Sequence, residues 1–345
     1  MARWRSSAIA AIAIMVLGTG MANAVTIDWV TVGNPGNTPD TTGYGAVPYE
    51  YRIGKYEVTL GQYAEFLNAV AKSDLYGLYS SSMASNMWIA GITRSGLSGS
   101  YSYSVSGPSG VTPNGADSPH NRPVTYVNWF DAARFANWMH NGQGSGSTET
   151  GAYTLVGQTS GTAPAKNPGA QFYIPTENEW YKAAYYSPVL NSGSGGYWSY
   201  ATQSDSVPGN TIGAGANQAN YNNGVASVTQ SSNGSSSQNY LTNVGAFTGS
   251  ASAYGTFDQS GNVFEWNDLN ENPSSDRGRR GGDWSFVASH LSSAARFEIG
   301  TWTSDYYVGF RLASPVAVPE PSTWLMAGAG LACAGWGAWR RRNRP

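Results

Sequence analysis

Cysteine is almost missing from this chain of 345 residues, where Cys333 stands alone. An intramolecular disulfide is therefore impossible, and so is a thiolate metal cluster. Charge is scarce too: 19 basic and 21 acidic residues leave a net charge of −2, with no basic patch before the extreme C-terminus. That balance argues against nucleic acid as a partner. Only three histidines occur, His120, His140 and His290, and none lies at ligand spacing from another. Each reads more simply as a satisfied surface or core histidine than as a metal ligand. Leu, Val and Ile are modest in number, whereas Gly (43), Tyr (22) and Trp (13) are plentiful. Such a composition suits a loop-rich exported protein whose aromatic side chains supply the core. At 41 % hydrophobic residues it is well above a disordered composition.

Both ends read as addresses. Arg3 and Arg5, the apolar run from Ala8 to Leu17, and Ala22-Asn23-Ala24 make residues 1–24 a secretory signal peptide, with Val25 the mature start. At the other end Val318-Pro-Glu-Pro-Ser-Thr precedes an apolar run from Trp324 to Trp339, then Arg340-Arg-Arg-Asn-Arg-Pro. That run is at the lower edge of what spans a bilayer, and the arginines after it should stay cytoplasmic. The order of parts in 317–345 resembles the PEP-CTERM sorting signal of bacterial surface proteins. The resemblance implies recognition by an exosortase, removal of the tail, and delivery to the cell surface or extracellular matrix. A simple C-terminal membrane anchor is the alternative, and it too would place the domain outside the cytoplasm.

Between the addresses, residues 25–316 read as one large domain. Short strands are expected at 26–32 and 49–58. Thr59-Leu-Gly-Gln62 has the shape of a capping box, and Tyr63, Phe66, Leu67 and Val70 follow at helical spacing, which predicts an amphipathic helix over 60–72. An extended run over 122–127 ends at Asn128, an N-cap for a helix from Trp129 to His140 with Ala132, Phe135, Trp138 and Met139 on one side. Thr176-Glu-Asn-Glu179 is a second capping box, opening a helix to about Tyr186. Residues 73–119 and 187–250 are Gly/Ser-rich and longer than compact-domain loops usually are.

The stretch from Phe257 to Trp266 sets two carboxylates, Asp258 and Glu265, around the turn-forming pair Gly261-Asn262. Such a turn can bring carboxylate and carbonyl oxygens together, as calcium requires. Spacing alone reads more simply as a plain turn between strands with solvated carboxylates, since the stretch is not an EF-hand loop.

Ile53-Gly-Lys-Tyr-Glu-Val-Thr59, Arg122-Pro-Val-Thr-Tyr-Val-Asn-Trp129, Ile174-Pro-Thr-Glu-Asn-Glu-Trp180, Gly261-Asn-Val-Phe-Glu-Trp266, Arg280-Gly-Gly-Asp-Trp284 and Gly309-Phe-Arg-Leu312 occur in that order. Together they resemble the sulfatase-modifying-factor family, the formylglycine-generating-enzyme domain. The resemblance implies an α+β fold that is irregular, loop-rich and C-type-lectin-like, with bound calcium. It also implies a copper-dependent oxidase that converts a client cysteine to formylglycine. The copper-holding cysteines of the family fall at about Phe286 and Leu291 here, and residues 25–317 contain no cysteine. Soft monovalent copper needs thiolate or thioether ligands, so no copper is expected. Transferred from the family, a structural calcium site would use the Asp258 side chain, the Gly261 and Val263 carbonyls and the Glu265 carboxylate. A second would begin at Asn220 and the Tyr221 carbonyl, its acidic partner not evident among 235–239. Arg280, Arg296 and Arg311 read as internal salt-bridge partners of carboxylates such as Glu57, Glu179 and Asp283, or as anion contacts near the old active-site groove. The function expected is binding of a polysaccharide or peptide at a groove rimmed by Trp and Tyr. The alternative is an enzyme, either a residual formylglycine-type oxidase or another chemistry.

Overall fold

The computed structural model describes residues 24–107 and 118–316. Residues 1–23 of the expected signal peptide, residues 108–117 and the sorting tail with its apolar run lie outside the described residues. Among the described residues no helix is long and apolar enough to cross a membrane.

Three helices form where local signals place them. In α1 (Leu60–Val70) the Thr59 hydroxyl accepts from the Gln62 N–H, and the Gln62 side chain accepts from the Thr59 N–H. Helix α2 (Trp129–His140) has the same reciprocal cap from Asn128 and Asp131, and α3 (Glu177–Tyr185) has it from Thr176 and Glu179. Each cap satisfies orphan amide groups that would otherwise terminate the turn. Helix α3 stops one residue early because Tyr186–Ser187 pairs with Gly196–Tyr197.

Helix α2 departs from the one-sided reading, since every residue from Trp129 to Met139 is buried. Its polar side chains bond mainly to the loop that follows, although Trp129 Nε1, Asp131 Oδ1 and Arg134 Nη1 are buried with no hydrogen-bond partner. Arg134 donates to Glu149 at 2.8 Å, while the Asn137 amide donates to the Thr148 and Tyr153 carbonyls and accepts from the Tyr153 N–H. A helix whose polar side chains find partners in the adjoining loop can sit in the middle of a fold.

Seven strands make the two main sheets. Strands β1 (Trp29–Val32), β2 (Tyr51–Gly54) and β7 (Ala313–Pro315) form an antiparallel sheet with β2 central. Strands β3 (Phe264–Asn267), β4 (Asp276–Arg280), β5 (Phe297–Gly300) and β6 (Val308–Gly309) lie in the order β6-β3-β4-β5, with β6 parallel to β3. The run 122–127 forms no strand; a bridge from Thr59 to Pro123 and the bond from Val124 N–H to Val58 O hold it instead. Residues 73–107 contribute a hairpin of Ile92–Ser95 with Ser102–Val105.

Aromatic rings do fill the core. Phe66, Phe135 and Phe310 meet edge to face at 5.4 Å, joining α1, α2 and the last strands into one domain.

Candidate functional site

The stretch 257–266 turns sharply, with φ of 62° at Asp258, 102° at Gly261 and 63° at Asn262. Gly261 stands directly against Asn220: a Cβ there would lie 2.3 Å from the Asn220 carbonyl oxygen. Asn262 is wholly buried and acts as a hub. Its Oδ1 accepts from Asn220 Nδ2, the Thr242 N–H and the Thr242 hydroxyl, while its Nδ2 donates to Glu57. Its backbone accepts from the Trp284 N–H and donates to the Asn220 carbonyl. One asparagine thus ties together segments near 57, 220, 242 and 284, the role a disulfide plays in many exported domains.

The calcium ligands transferred from the family meet a different arrangement. Arg311 donates to both Glu265 oxygens, at 2.5 and 2.6 Å, and the Trp180 indole N–H adds a third bond at 2.8 Å. Glu265 and Arg311 are completely buried. Asp258 accepts from the Gly245 N–H at 2.6 Å. The Asn220 amide donates to the Tyr240 carbonyl and to Asn262, while the Tyr221 carbonyl accepts from the Ser227 hydroxyl at 3.3 Å and from Asn210 Nδ2 at 3.4 Å. Val263 packs with Ile89 and Leu241. Among the described residues no group of three or more His, Cys, Asp or Glu side chains is placed to hold a metal ion. Glu265 is thus already neutralised by a guanidinium, so a calcium ion here would draw its remaining oxygens chiefly from the Gly261, Val263 and Tyr221 carbonyls.

Burial holds the Glu57 carboxyl well above the usual carboxylate range, and repulsion from Asp258 and Glu265 adds to it. Burial likewise pushes Asp258 up to about 6 and Asp131 up to about 7. An acid with a raised folded-state pKa favours the folded state when protonated, so its contribution is lost as pH rises from about 4 through the folded value. The melting temperature is therefore expected to be several degrees higher at pH 5 than at pH 8 by scanning calorimetry. Asp258→Asn should flatten that slope; an unchanged slope in this variant would remove Asp258 from the account.

All three arginines pair with carboxylates, as the salt-bridge reading has it, but with other partners; Arg280 and Arg311 are buried, whereas Arg296 is exposed. Arg280 and Arg296 both reach Glu177, at 2.8 and 3.0 Å, and Arg311 takes Glu265. Glu179 is instead spent on capping α3 and accepting from Tyr173 and Tyr49. The loop after Gly281-Gly282 contains no thiolate. Phe286 lies partly exposed and packs at 4.7 Å on His290, which stacks on Phe297 at 5.3 Å; Leu291 is fully buried. The Arg279 guanidinium lies 4.7, 5.5 and 5.1 Å from the Phe264, Phe297 and Tyr307 ring centres. These residues do not fit a copper ion. His140 accepts from the Gln171 N–H, and His120 lines a separate pocket, so the three histidines form no cluster.

Beside this loop runs a groove of about 190 Å³ walled by Trp88, Tyr240 and Trp284, with Asn222, Ser231 and Asn233 on its polar side. Tyr240 and Trp284 stack at 5.2 Å with planes 24° apart, and Trp88 meets Tyr240 edge-on at 5.6 Å. The Trp284 indole N–H is buried with no hydrogen-bond partner. Tyr240 is fixed by the bond from the Ser235 N–H to its hydroxyl and by its own N–H to the Trp88 carbonyl. The sequence flags Trp284 through its motif but gives no signal for Trp88 and Tyr240, which lie in aperiodic loops.

A family model described as the Sulfatase-modifying factor enzyme 1-like domain matches residues 41–316, and one for the PEP-CTERM protein-sorting motif matches 317–342. The second motif implies export and recognition by exosortase-type sorting machinery. Among solved structures, CarF is 21 % identical with a TM-score of 0.47, over 85 % of this chain and 99 % of that one. The Treponema denticola variable protein 1 is 18 % identical with a TM-score of 0.46, over 85 % and 97 %. PvdO from Pseudomonas aeruginosa is 16 % identical with a TM-score of 0.40, over 84 % and 92 %. No curated protein matches the chain. With six motifs in order and a family model matching residues 41–316, this chain belongs to the sulfatase-modifying factor enzyme 1-like family.

Proposed function

We propose that this protein is a binding module of its family, displayed at the cell surface or in the extracellular matrix, that takes a polysaccharide or peptide in the groove of Trp88, Tyr240 and Trp284. The observation that carries this reading is the stacked Tyr240–Trp284 pair, edged by Asn and Ser side chains, beside a loop whose cysteine positions hold Phe286 and Leu291. An aromatic face stacks on the apolar face of a sugar ring or on a peptide plane, and the neighbouring amides and hydroxyls supply directional bonds. The tail would hold the chain at the membrane until the sorting machinery removes it.

The test is binding of the exported protein to the producing cells' own extracellular polysaccharide. Trp284→Ala should weaken binding by about tenfold or more, as buried aromatic anchors do. Equal binding by wild type and Trp284→Ala would sink the groove reading. Formylglycine formed on a cysteine-bearing sulfatase-type peptide after copper loading would return the protein to the oxidases.

The loops are read as held by buried side chains, with no calcium required. Support comes from the Glu265–Arg311 pair and the Asn262 hub. A chelator should leave the melting temperature within about 1 °C of the calcium-supplemented protein, since a ligand absent from the folded state adds no linkage stabilisation. A calcium-dependent rise of several degrees would overturn this.

A further inference from the structure

The aromatic groove carries no charge. Its lining residues include no Asp, Glu, Lys, Arg or His. The chain around it is uncharged over long runs, from Leu75 to Thr93 on the Trp88 side and from Ser206 to Phe257 on the other. Next to Trp284, the buried Asp283 accepts from the Ser285 N–H and hydroxyl at 2.7 and 2.6 Å. Asp305 is likewise spent on the Tyr306 N–H at 2.7 Å, and the Arg279 guanidinium lies against Phe264, Phe297 and Tyr307. An ionised ligand in the groove would give up hydration with no lining countercharge to replace it. Main-chain donors along the wall are also taken. The N–H groups of Asn222, Ala226 and Tyr240 donate to the Phe286, Ser231 and Trp88 carbonyls. Those of Gly224 and Asn233 donate to Asn222 Oδ1 and the Ser231 hydroxyl. No strand lies in 206–257, so a peptide finds no free edge there to pair with. What remains is side chains: Asn222 Nδ2, the Asn233 amide and the Ser232 hydroxyl belong to exposed residues and have no partner among the described residues.

We infer that the ligand of this groove, taken as the binding site proposed above, is an uncharged glycan. One sugar ring lies on the half-buried Trp88 and Trp284, and its hydroxyls bond to Asn222, Ser232 and Asn233. Sugar hydroxyls donate and accept, as side-chain amides and a serine hydroxyl do, so each can satisfy the other without charge. The C–H face of the ring meets the indoles. Tyr240, only 4 % exposed, supports Trp284 by stacking on it. Contacts of this kind are indifferent to salt, whereas an acidic polymer held by charge is released as screening rises.

The probe is the producing cells' extracellular polysaccharide, used as isolated and after reduction of its uronic carboxylates to primary alcohols. The two forms should bind the exported protein within about twofold of each other, and alike at about 0.05 and 0.5 M salt. The double variant Asn222→Ala/Asn233→Ala, which alters only exposed side chains, should weaken binding about tenfold, the worth of one or two net hydrogen bonds. Binding lost on carboxyl reduction or on raising the salt would overturn the neutral ligand, as would a double variant that binds like wild type. Tighter binding of acetyl-tetraalanine amide than of the polysaccharide would identify a peptide and overturn the glycan. In each of these cases loss of binding in Trp284→Ala still upholds the groove as the site. No binding of either polymer form or of the peptide, or binding that ignores Trp284→Ala, would remove both.

Discussion

Arg311→Met should lower the melting temperature by about 10 °C, since breaking a buried ion pair costs about 3–5 kcal/mol and each kcal/mol shifts a domain of this size by about 2–4 °C. The guanidinium does more than neutralise Glu265. It also donates to the Gly54 carbonyl at 2.9 Å and the Phe257 carbonyl at 2.8 Å, so it joins β2, the turn and β3. Removing it leaves Glu265 buried beside Glu57 and Asp258 with no countercharge within the group. The double variant Arg311→Met/Glu265→Leu should recover part of the loss, because no unpaired charge then remains. Full recovery is not expected, since the Trp180 indole N–H and two carbonyls lose their partners. Calorimetry of the two variants decides the matter. A single variant melting within about 2 °C of wild type would mean that the pair contributes nothing net.

Gly261→Ala should prevent accumulation of folded protein. The new methyl group would sit 2.3 Å from the Asn220 carbonyl oxygen and 3.0 Å from its carbon, both rigid backbone atoms, at a φ of 102°. Relief requires moving the Asn220 segment, which would pull apart the bonds centred on Asn262. Gly36→Ala is the control: its φ is 78°, but nothing lies within 4 Å of the added carbon. It should cost only about 1 kcal/mol of left-handed strain and yield soluble protein. Comparable soluble yields from the two variants would show that the close approach at Gly261 does not matter.

Local chemistry made the three helices legible in the sequence. Thr59 with Gln62, Asn128, and Thr176 with Glu179 announce their helices within four residues, because a cap is a contact between near neighbours. The missing cysteines likewise settled, without any structure, that no thiolate could hold copper in the loop after Gly281-Gly282. Only tertiary structure decided what Glu265 does. Spacing offers it to a solvated turn or a cation, and its partners Arg311 and Trp180 lie 46 and 85 residues away. The same distance in sequence hid the Asn262 hub, whose bond to Glu57 spans 205 residues, and the groove that brings Trp88 to Tyr240 and Trp284. Loops rich in Gly, Ser and Asn carry no period from which such meetings can be read. A cap is specified by residues that cannot avoid each other, whereas these contacts exist only once the sheets and α2 have fixed where each loop must pass.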